Sequence, residues 1–271
     1  MEQPLHGNYH SYYQTKRPEL SDERIALLPR AFFKGRSVLD IGCNEGWVTC
    51  ERHGATRVVG VDIDPVLIRA TWKRRRACGA NKDPLSHLPL KKRKRSNIDS
   101  FEHESISPSP SLHYFPLSMQ HLFGTLPIPG PGSQISLEST SFPHNVSFIR
   151  ADWLSDPIDS SQQYDIVLAL SITKWIHLNN GDAGLLAFFQ RIFDILHQGR
   201  GSKLVLEPQH WEGYAKAKRN NPKLKESGKD LQIRPDDFEA HLTKIGFRPA
   251  QRMGSVGQGG LRRPVDVYEK P

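Results

Sequence analysis

The sequence predicts a doubly wound α/β fold, a mostly parallel sheet with helices on both faces. Five short apolar runs, "SVLDIG" (37–42), "RVVGVDI" (57–63), "VSFIRAD" (146–152), "YDIVLAL" (164–170) and "KLVLEP" (203–208), read as buried strands, and all but the third are rich in Val, Ile and Leu. Segments with helical apolar spacing alternate with them, the order that a parallel sheet covered on both sides requires.

Taken in order, the first run ends in the glycine-bearing turn "GCNEGW", after which a helix is expected. The second run ends at Asp62 and leads into "PVLIRATWKRRRA" (65–77), whose apolar residues recur at helical spacing. The fourth is followed by "GLLAFFQRIFDIL" (184–196), a second such segment. "PDDFEAHLTKIGF" (235–247) is expected to be a late helix, with Pro at its start, acids in its first turn and Gly246 at its stop. "PVDVYEK" (264–270) reads as a last strand.

From Lys82 to about Ser141 the composition shifts to Ser, Pro and His without helical or strand period, as in "SISPSPS" and "LPIPGPGS". Such a segment has too little periodic apolar surface to offset the entropy of ordering. The expectation is one domain over residues 1–271, interrupted by a disordered insertion at about 80–141.

The net charge of +8 is concentrated: residues 72–95 hold ten Lys or Arg against the single acid Asp83. The rest of the chain is nearly neutral. "KKRKR" (91–95) reads either as a nuclear localisation signal or as a nonspecific RNA contact, with nuclear targeting favoured. Cys43, Cys50 and Cys78 show no paired spacing, and neither a signal peptide nor a bilayer-length apolar run is evident. A reducing compartment, here the nucleus, and no membrane or metal are expected.

Asp40, Gly42, Asn44 and Gly46 occupy the turn after the first strand, and about twenty residues on, Asp62 is placed to accept hydrogen bonds from a ribose diol. This pairing resembles S-adenosylmethionine-dependent methyltransferases of the Rossmann-like class I fold more than dinucleotide enzymes. The competing reading is an ordinary strand-turn-helix of another doubly wound protein. Asn44 stands where many methyltransferases carry glycine, and Asn tolerates the left-handed backbone.

Six blocks in order extend the resemblance: "GNYHSYY" (7–13), "LDIGCNEG" (39–46), "VGVDID" (59–64), "LSITKWIHLNNGDAGL" (170–185), "LEPQHWEGY" (206–214) and "RRPVDVY" (262–268). Together they resemble the RNA methylphosphate capping enzymes. That resemblance implies methyl transfer from S-adenosylmethionine to a 5′-phosphate oxygen of a small noncoding RNA. In one branch the acceptor is the γ-phosphate of polymerase III transcripts such as 7SK small nuclear RNA; in a sister branch it is a 5′-monophosphate. It also implies a La-related protein as partner.

Carried over by motif, the cofactor contacts are Tyr13, Arg24, Gly42, Cys43, Asn44, Asp62, Ile63, Asp152, Trp153 and Leu170. The resemblance assigns the phosphate end to Tyr12 and Lys174, and RNA-facing roles to Tyr9, Trp175, His177, Glu207, Gln209, Trp211 and Arg263. The family's Asn-Tyr after the third strand stands here as Asp152-Trp153, and its Trp after "HLN" as Asn180.

The chemistry suits these residue types. A terminal phosphate, with a second pKa of about 6, is already largely ionised at neutral pH and needs alignment more than a general base. A lysine and a tyrosine hydroxyl hold the non-attacking oxygens without neutralising the attacking one. Plainer roles compete: Lys174 as a solvated lysine, Tyr12 and Tyr13 as core aromatics, His177 as a structural histidine, and Trp211 as a closure of the core or a stacking platform for a base. From a different class comes an RNA-binding scaffold subunit that keeps the methyltransferase fold.

Overall fold

The computed structural model describes residues 6, 7, 9, 22–50, 54–80, 142–157 and 162–271. Tyr12, Tyr13, "KKRKR" and nearly all of the expected insertion lie outside the described residues. The chain divides into two units, Met1–Arg75 with Glu138–Pro271 and Arg76–Leu137. The first holds the sheet; of the second, only the helical turn 76–80 is described.

Seven strands form one sheet: β1 (Ser37–Ile41), β2 (Arg57–Asp62), β3 (Val146–Arg150), β4 (Ile166–Leu170), β5 (Ser202–Glu207), β6 (Gln251–Val256) and β7 (Arg263–Lys270). Their spatial order is β3-β2-β1-β4-β5-β7-β6. The first five run parallel, while β7 pairs antiparallel with both β5 and β6. The order reverses between β1 and β4, the switch point at which open α/β sheets leave a crevice beyond their carboxyl ends.

Burial follows position in the sheet. All five residues of central β4 are buried, whereas edge strand β3 alternates, burying Val146 and Phe148 and exposing Ser147 and Ile149. At the opposite edge, β6 buries nothing and carries a register shift between Arg252 and Gly254. It has no apolar period, which is why the sequence pattern passed over it. At the sheet's lower rim Asp165 Oδ2 accepts from both the amide and the hydroxyl of Ser37, each at 2.8 Å, fixing the start of β1 to β4.

Six α-helices are described: α1 (Glu23–Ala26), α2 (Pro65–Ala80), α3 (Thr173–Ile195), α4 (Trp211–Asn220), α5 (Pro222–Ser227) and α6 (Phe238–Ile245). On α3, Leu185, Phe188, Phe189, Ile192 and Ile195 form the buried face expected from their spacing. Burying each such side chain contributes roughly 1.5–3 kcal/mol. Gly246, at φ 128, ends α6 as expected. No helix among the described residues is long and apolar enough to cross a membrane.

One expectation is extended and one corrected. The helix expected at 184–196 is present, and a further helical segment from Thr173 precedes it across a kink at Gly181 (φ 68, ψ −173), the two being counted together as α3. Its N-cap residue, Ile172, offers no side-chain bond; Gln209 from beyond β5 supplies the cap instead, its Oε1 accepting from Lys174 N at 3.0 Å and Thr173 Oγ1 at 3.1 Å. After β1, residues 44–50 form turns where a helix was expected, because Asn44 (φ 52) and Gly46 (φ 74) take left-handed conformations.

Candidate active site

A cavity opens beyond the carboxyl ends of β1, β2 and β4, at the switch point. Of the expected cofactor contacts, Gly42, Asn44, Asp62, Ile63, Asp152, Trp153 and Leu170 line it. Gly42 sits at φ 75, a left-handed conformation that favours glycine, and a Cβ there would stand 2.7 Å from the terminal Cδ1 of Ile172. Its amide and that of Cys43 both donate to Val61 O, at 2.8 and 3.0 Å, curling the chain back over β2.

Asp62 is the acid of this cavity. One carboxylate oxygen accepts from Asn44 N at 2.9 Å and the other from Asp64 N at 3.0 Å, which fixes the group. Burial raises its pKa to about 6, with those amides opposing the rise. Below the turn, Asp40 is likewise raised to about 6 by burial and accepts from Thr49 Oγ1 at 2.6 Å. Asp152 differs: burial alone would raise it, yet the Ser155 hydroxyl and backbone amides hold it below the usual carboxylate range.

Two expected cofactor residues lie elsewhere. Cys43 is buried with its Sγ against Gly60 of β2, so its side chain points under the sheet and not into the cavity. Arg24, 1% exposed, is spent on ion pairs with Asp22 at 2.6 Å and Glu207 at 2.7 Å. A guanidinium is used there because only its planar fork satisfies two carboxylates at once.

The residues expected to face RNA separate in the same way. Glu207 is fully buried, bonded to Arg24 and to Ser171 Oγ at 2.5 Å, and faces no solvent. His177 is also fully buried: its Nε2 lies 2.6 Å from Asp182 Oδ1 and its Nδ1 3.4 Å from Tyr214 Oη. Burial holds its pKa below the usual value against the pull of Asp182. It joins α3 to α4. Gln209 caps α3, and Trp211 packs on Tyr214 with ring centroids 4.7 Å apart, closing a small second core with Leu178 and Leu224.

Lys174, Trp175, Arg263 and Tyr9 remain at the cavity's edge. Trp175 lines the cavity; Lys174 Nζ lies 4.3 Å from the centre of its ring, and Tyr9, 40% exposed, meets it edge-on at 5.9 Å. The Lys174 pKa is lowered to about 8, first by burial and then by the charges of Arg263 and Lys216. Arg263 comes from the start of β7 and donates to Ser171 Oγ at 2.8 Å. Three cations thus converge where β4 ends.

Sequence reasoning missed Lys216, Gly7, Asn179 and Ser171. Gly7 lines the cavity against Trp175, so closely that a Cβ would fall 2.1 Å from the indole nitrogen. Asn180, the departure from the family's Trp, lines it too. Among the described residues no group of His, Cys, Asp and Glu is arranged to hold a metal.

Solved structures with the same fold are S-adenosylmethionine-dependent enzymes. The N-methyltransferase NodS of Bradyrhizobium japonicum, solved with S-adenosyl-L-homocysteine, superposes with a TM-score of 0.51 at 11% identity, over 97% of this chain and 100% of that one. Magnesium protoporphyrin IX methyltransferase from Synechocystis, solved with S-adenosylmethionine, gives 0.50 at 12%, over 93% and 78%. The fold is therefore that of the class I methyltransferases. The Bicoid-interacting protein 3 (Bin3) family model matches residues 164–270. The human 7SK snRNA methylphosphate capping enzyme is 33% identical over 98% of this chain and 39% of its own length. An Arabidopsis thaliana protein named "Probable RNA methyltransferase" is 32% identical over 97% of this chain and 80% of its own. The chain belongs to the Bin3 family of RNA methylphosphate capping enzymes. It spans about two fifths of the length of the human and mouse relatives.

Proposed function

We propose that the protein is an S-adenosylmethionine-dependent RNA 5′-phosphate O-methyltransferase, acting on the γ-phosphate of a small noncoding RNA. One observation carries the reading: Lys174 and Arg263 stand at the exit of β4 with no carboxylate within ion-pair distance among the described residues, beside a cavity walled by Asp62 and Asp152. Cations left unbalanced in this way call for an oxyanion.

The cavity fits the cofactor. Asp62 offers fixed acceptors to a diol, Asp152 and the backbone beside Trp153 offer polar groups to an adenine edge, and the Gly42 turn lets the backbone come close. S-adenosylmethionine supplies a methyl group on a sulfonium and leaves as a neutral thioether. Lys174 and Arg263 hold the non-reacting phosphate oxygens, and Trp175 shields the site from water. Lys174, with a pKa of about 8, keeps its proton at neutral pH, and a bound phosphate strengthens that hold. No side chain is required as a base. Tyr12 and Tyr13 retain their assignments from the resemblance.

Named relatives act on two kinds of 5′ end. The capping enzymes of human and mouse match 98% of the chain, whereas the rat RNA 5′-monophosphate methyltransferase matches 31% of it, which favours the γ-phosphate. Incubation with methyl-labelled cofactor and 5′-triphosphate RNA should label the terminal phosphate. Equal labelling of RNA stripped of its 5′ phosphates would rule the reading out, and a comparison with 5′-monophosphate RNA separates the two branches. Nuclear residence and a La-related partner rest on "KKRKR" and the family resemblance, respectively.

A further inference from the structure

Ser171, absent from every motif-based assignment, stands where the cavity meets the cations. It lines the cavity immediately after β4, in a left-handed conformation (φ 61) that a side chain adopts at a cost. All its polar groups are engaged. Its amide donates to Glu207 O at 3.1 Å, its carbonyl accepts from Gln209 Nε2, and its hydroxyl lies 2.5 Å from Glu207 Oε2 and 2.8 Å from Arg263 Nη1.

These contacts fix the hydroxyl's direction. Arg263 donates only and Glu207 accepts, so the single hydroxyl proton belongs to Glu207 and a lone pair faces Arg263. Glu207 also accepts from Arg24 Nη1 at 2.7 Å. Arg263, 9% exposed, has its Nε buried without a partner and no carboxylate within 4.0 Å among the described residues. The serine therefore steadies the guanidinium through a neutral acceptor and leaves its positive charge available.

We propose that Ser171 is a positioning residue for the phosphate: its hydroxyl, oriented by Glu207, fixes Arg263 at the strand exit that also carries Lys174, so that the cation faces the 5′ end of the RNA. The inference rests on the reading of the site as a 5′-phosphate methyltransferase. It gives the hydroxyl a role at a backbone position better suited to glycine.

Ser171→Ala and Ser171→Gly, each alone and combined with Arg263→Gln, test it. Both single variants should lower kcat/KM for 5′-triphosphate RNA by roughly 10- to 100-fold, the cost of misplacing a reacting group by about an ångström. Their cofactor affinity, measured by calorimetry, should stay within about twofold of wild type, and binding of inorganic tripolyphosphate should weaken as much as in Arg263→Gln. Glycine relieves the backbone, so Ser171→Gly should melt no lower than Ser171→Ala while losing as much transfer. In the Arg263→Gln background either change should cost less than about twofold more. Wild-type transfer in Ser171→Gly, or losses that multiply with Arg263→Gln, would overturn the proposal. If the wild type methylates no phosphate-ended RNA while the tripolyphosphate result holds, the functional reading falls and the anion-positioning role of Ser171 stands.

Discussion

Replacing Lys174 by Met should make the free protein more stable while abolishing transfer. The free-state Lys174 is a partly buried cation facing Arg263 and Lys216, and its pKa falls from 10.5 to about 8. At about 1.4 kcal/mol per pH unit, a fall of that size penalises the charged form by roughly 3 kcal/mol, which solvent screening of the half-exposed amine reduces to about 1–2 kcal/mol. Loss of the contact with the Trp175 ring returns about 0.5–1 kcal/mol, part of which a methionine sulfur recovers. The net gain is about 1 kcal/mol, or a rise in Tm of about 2–4 °C for a chain of this size. The sign can be followed with pH. A lowered lysine pKa means that the unfolded chain binds the extra proton, so the penalty is complete below pH 8 and fades as pH rises from about 8 toward 10.5. Thermal melts of both proteins at pH 7 and at pH 10 should therefore converge at the higher value. Tripolyphosphate should raise the Tm of the wild type and leave that of the variant nearly unchanged. A Lys174→Met protein that melts below wild type at pH 7, or that tripolyphosphate stabilises equally, would refute the argument that this lysine awaits an anion.

Arg24→Met should cost about 3–5 kcal/mol in urea unfolding of the free protein, because it leaves two buried carboxylates uncompensated; unchanged free-state stability with lost cofactor affinity would instead make Arg24 a cofactor contact. Calorimetric affinity for S-adenosylmethionine should be flat above pH 7 and decline as pH falls through about 6, where Asp62 gains a proton. Asp62 itself does not destabilise the free fold in that range, since a folded pKa above 3.8 means that the folded state binds the proton first. Gly213→Ala places a methyl 3.7 Å from Lys174 Nζ without overlap. It should stabilise α4 by about 0.5–1 kcal/mol through helix propensity and yet slow transfer to RNA by further enclosing the amine, as steady-state rates would show.

The sheet was legible because its information is local. Runs such as "IVLAL" bury on both faces only as central parallel strands, and the five strands expected in order form the parallel part of the sheet. The start of α3 was not legible, for its cap is a glutamine 36 residues away from Thr173. Edge strand β6 and helix α4 escaped notice for a related reason. Their own patterns are polar: β6 buries nothing and is held by pairing with the next strand, β7, and α4 is tied through Tyr214 to His177, 37 residues earlier.

The site shows the same division. Gly42, Asn44 and Asp62 are bound to one another within a single strand-turn-strand unit, so motif reading placed them. Family blocks also drew in Arg24, Glu207, His177 and Gln209, whose side chains the fold spends on one another and on backbone. Ser171 lies within a family block but drew no role there, because its contacts belong to a tertiary chain running Asp22, Arg24, Glu207, Ser171, Arg263.

That chain has a consequence for the chemistry. At the strand exit Lys174, with Lys216 nearby, has no carboxylate within ion-pair distance among the described residues, and burial together with the neighbouring cations lowers its pKa. Arg263 occupies the end of the chain, separated by a neutral hydroxyl from the Glu207 carboxylate. On the proposed reading an arriving phosphate meets a guanidinium already fixed and a lysine whose pKa burial and neighbouring cations had lowered, an effect that the anion's charge now offsets. The acids Asp62 and Asp152 line the cavity itself, where hydrogen-bond donors and not anions are welcome. On the same proposed reading the acids receive a diol-bearing cofactor and the cations an oxyanion substrate, which is the alignment that an already ionised nucleophile requires.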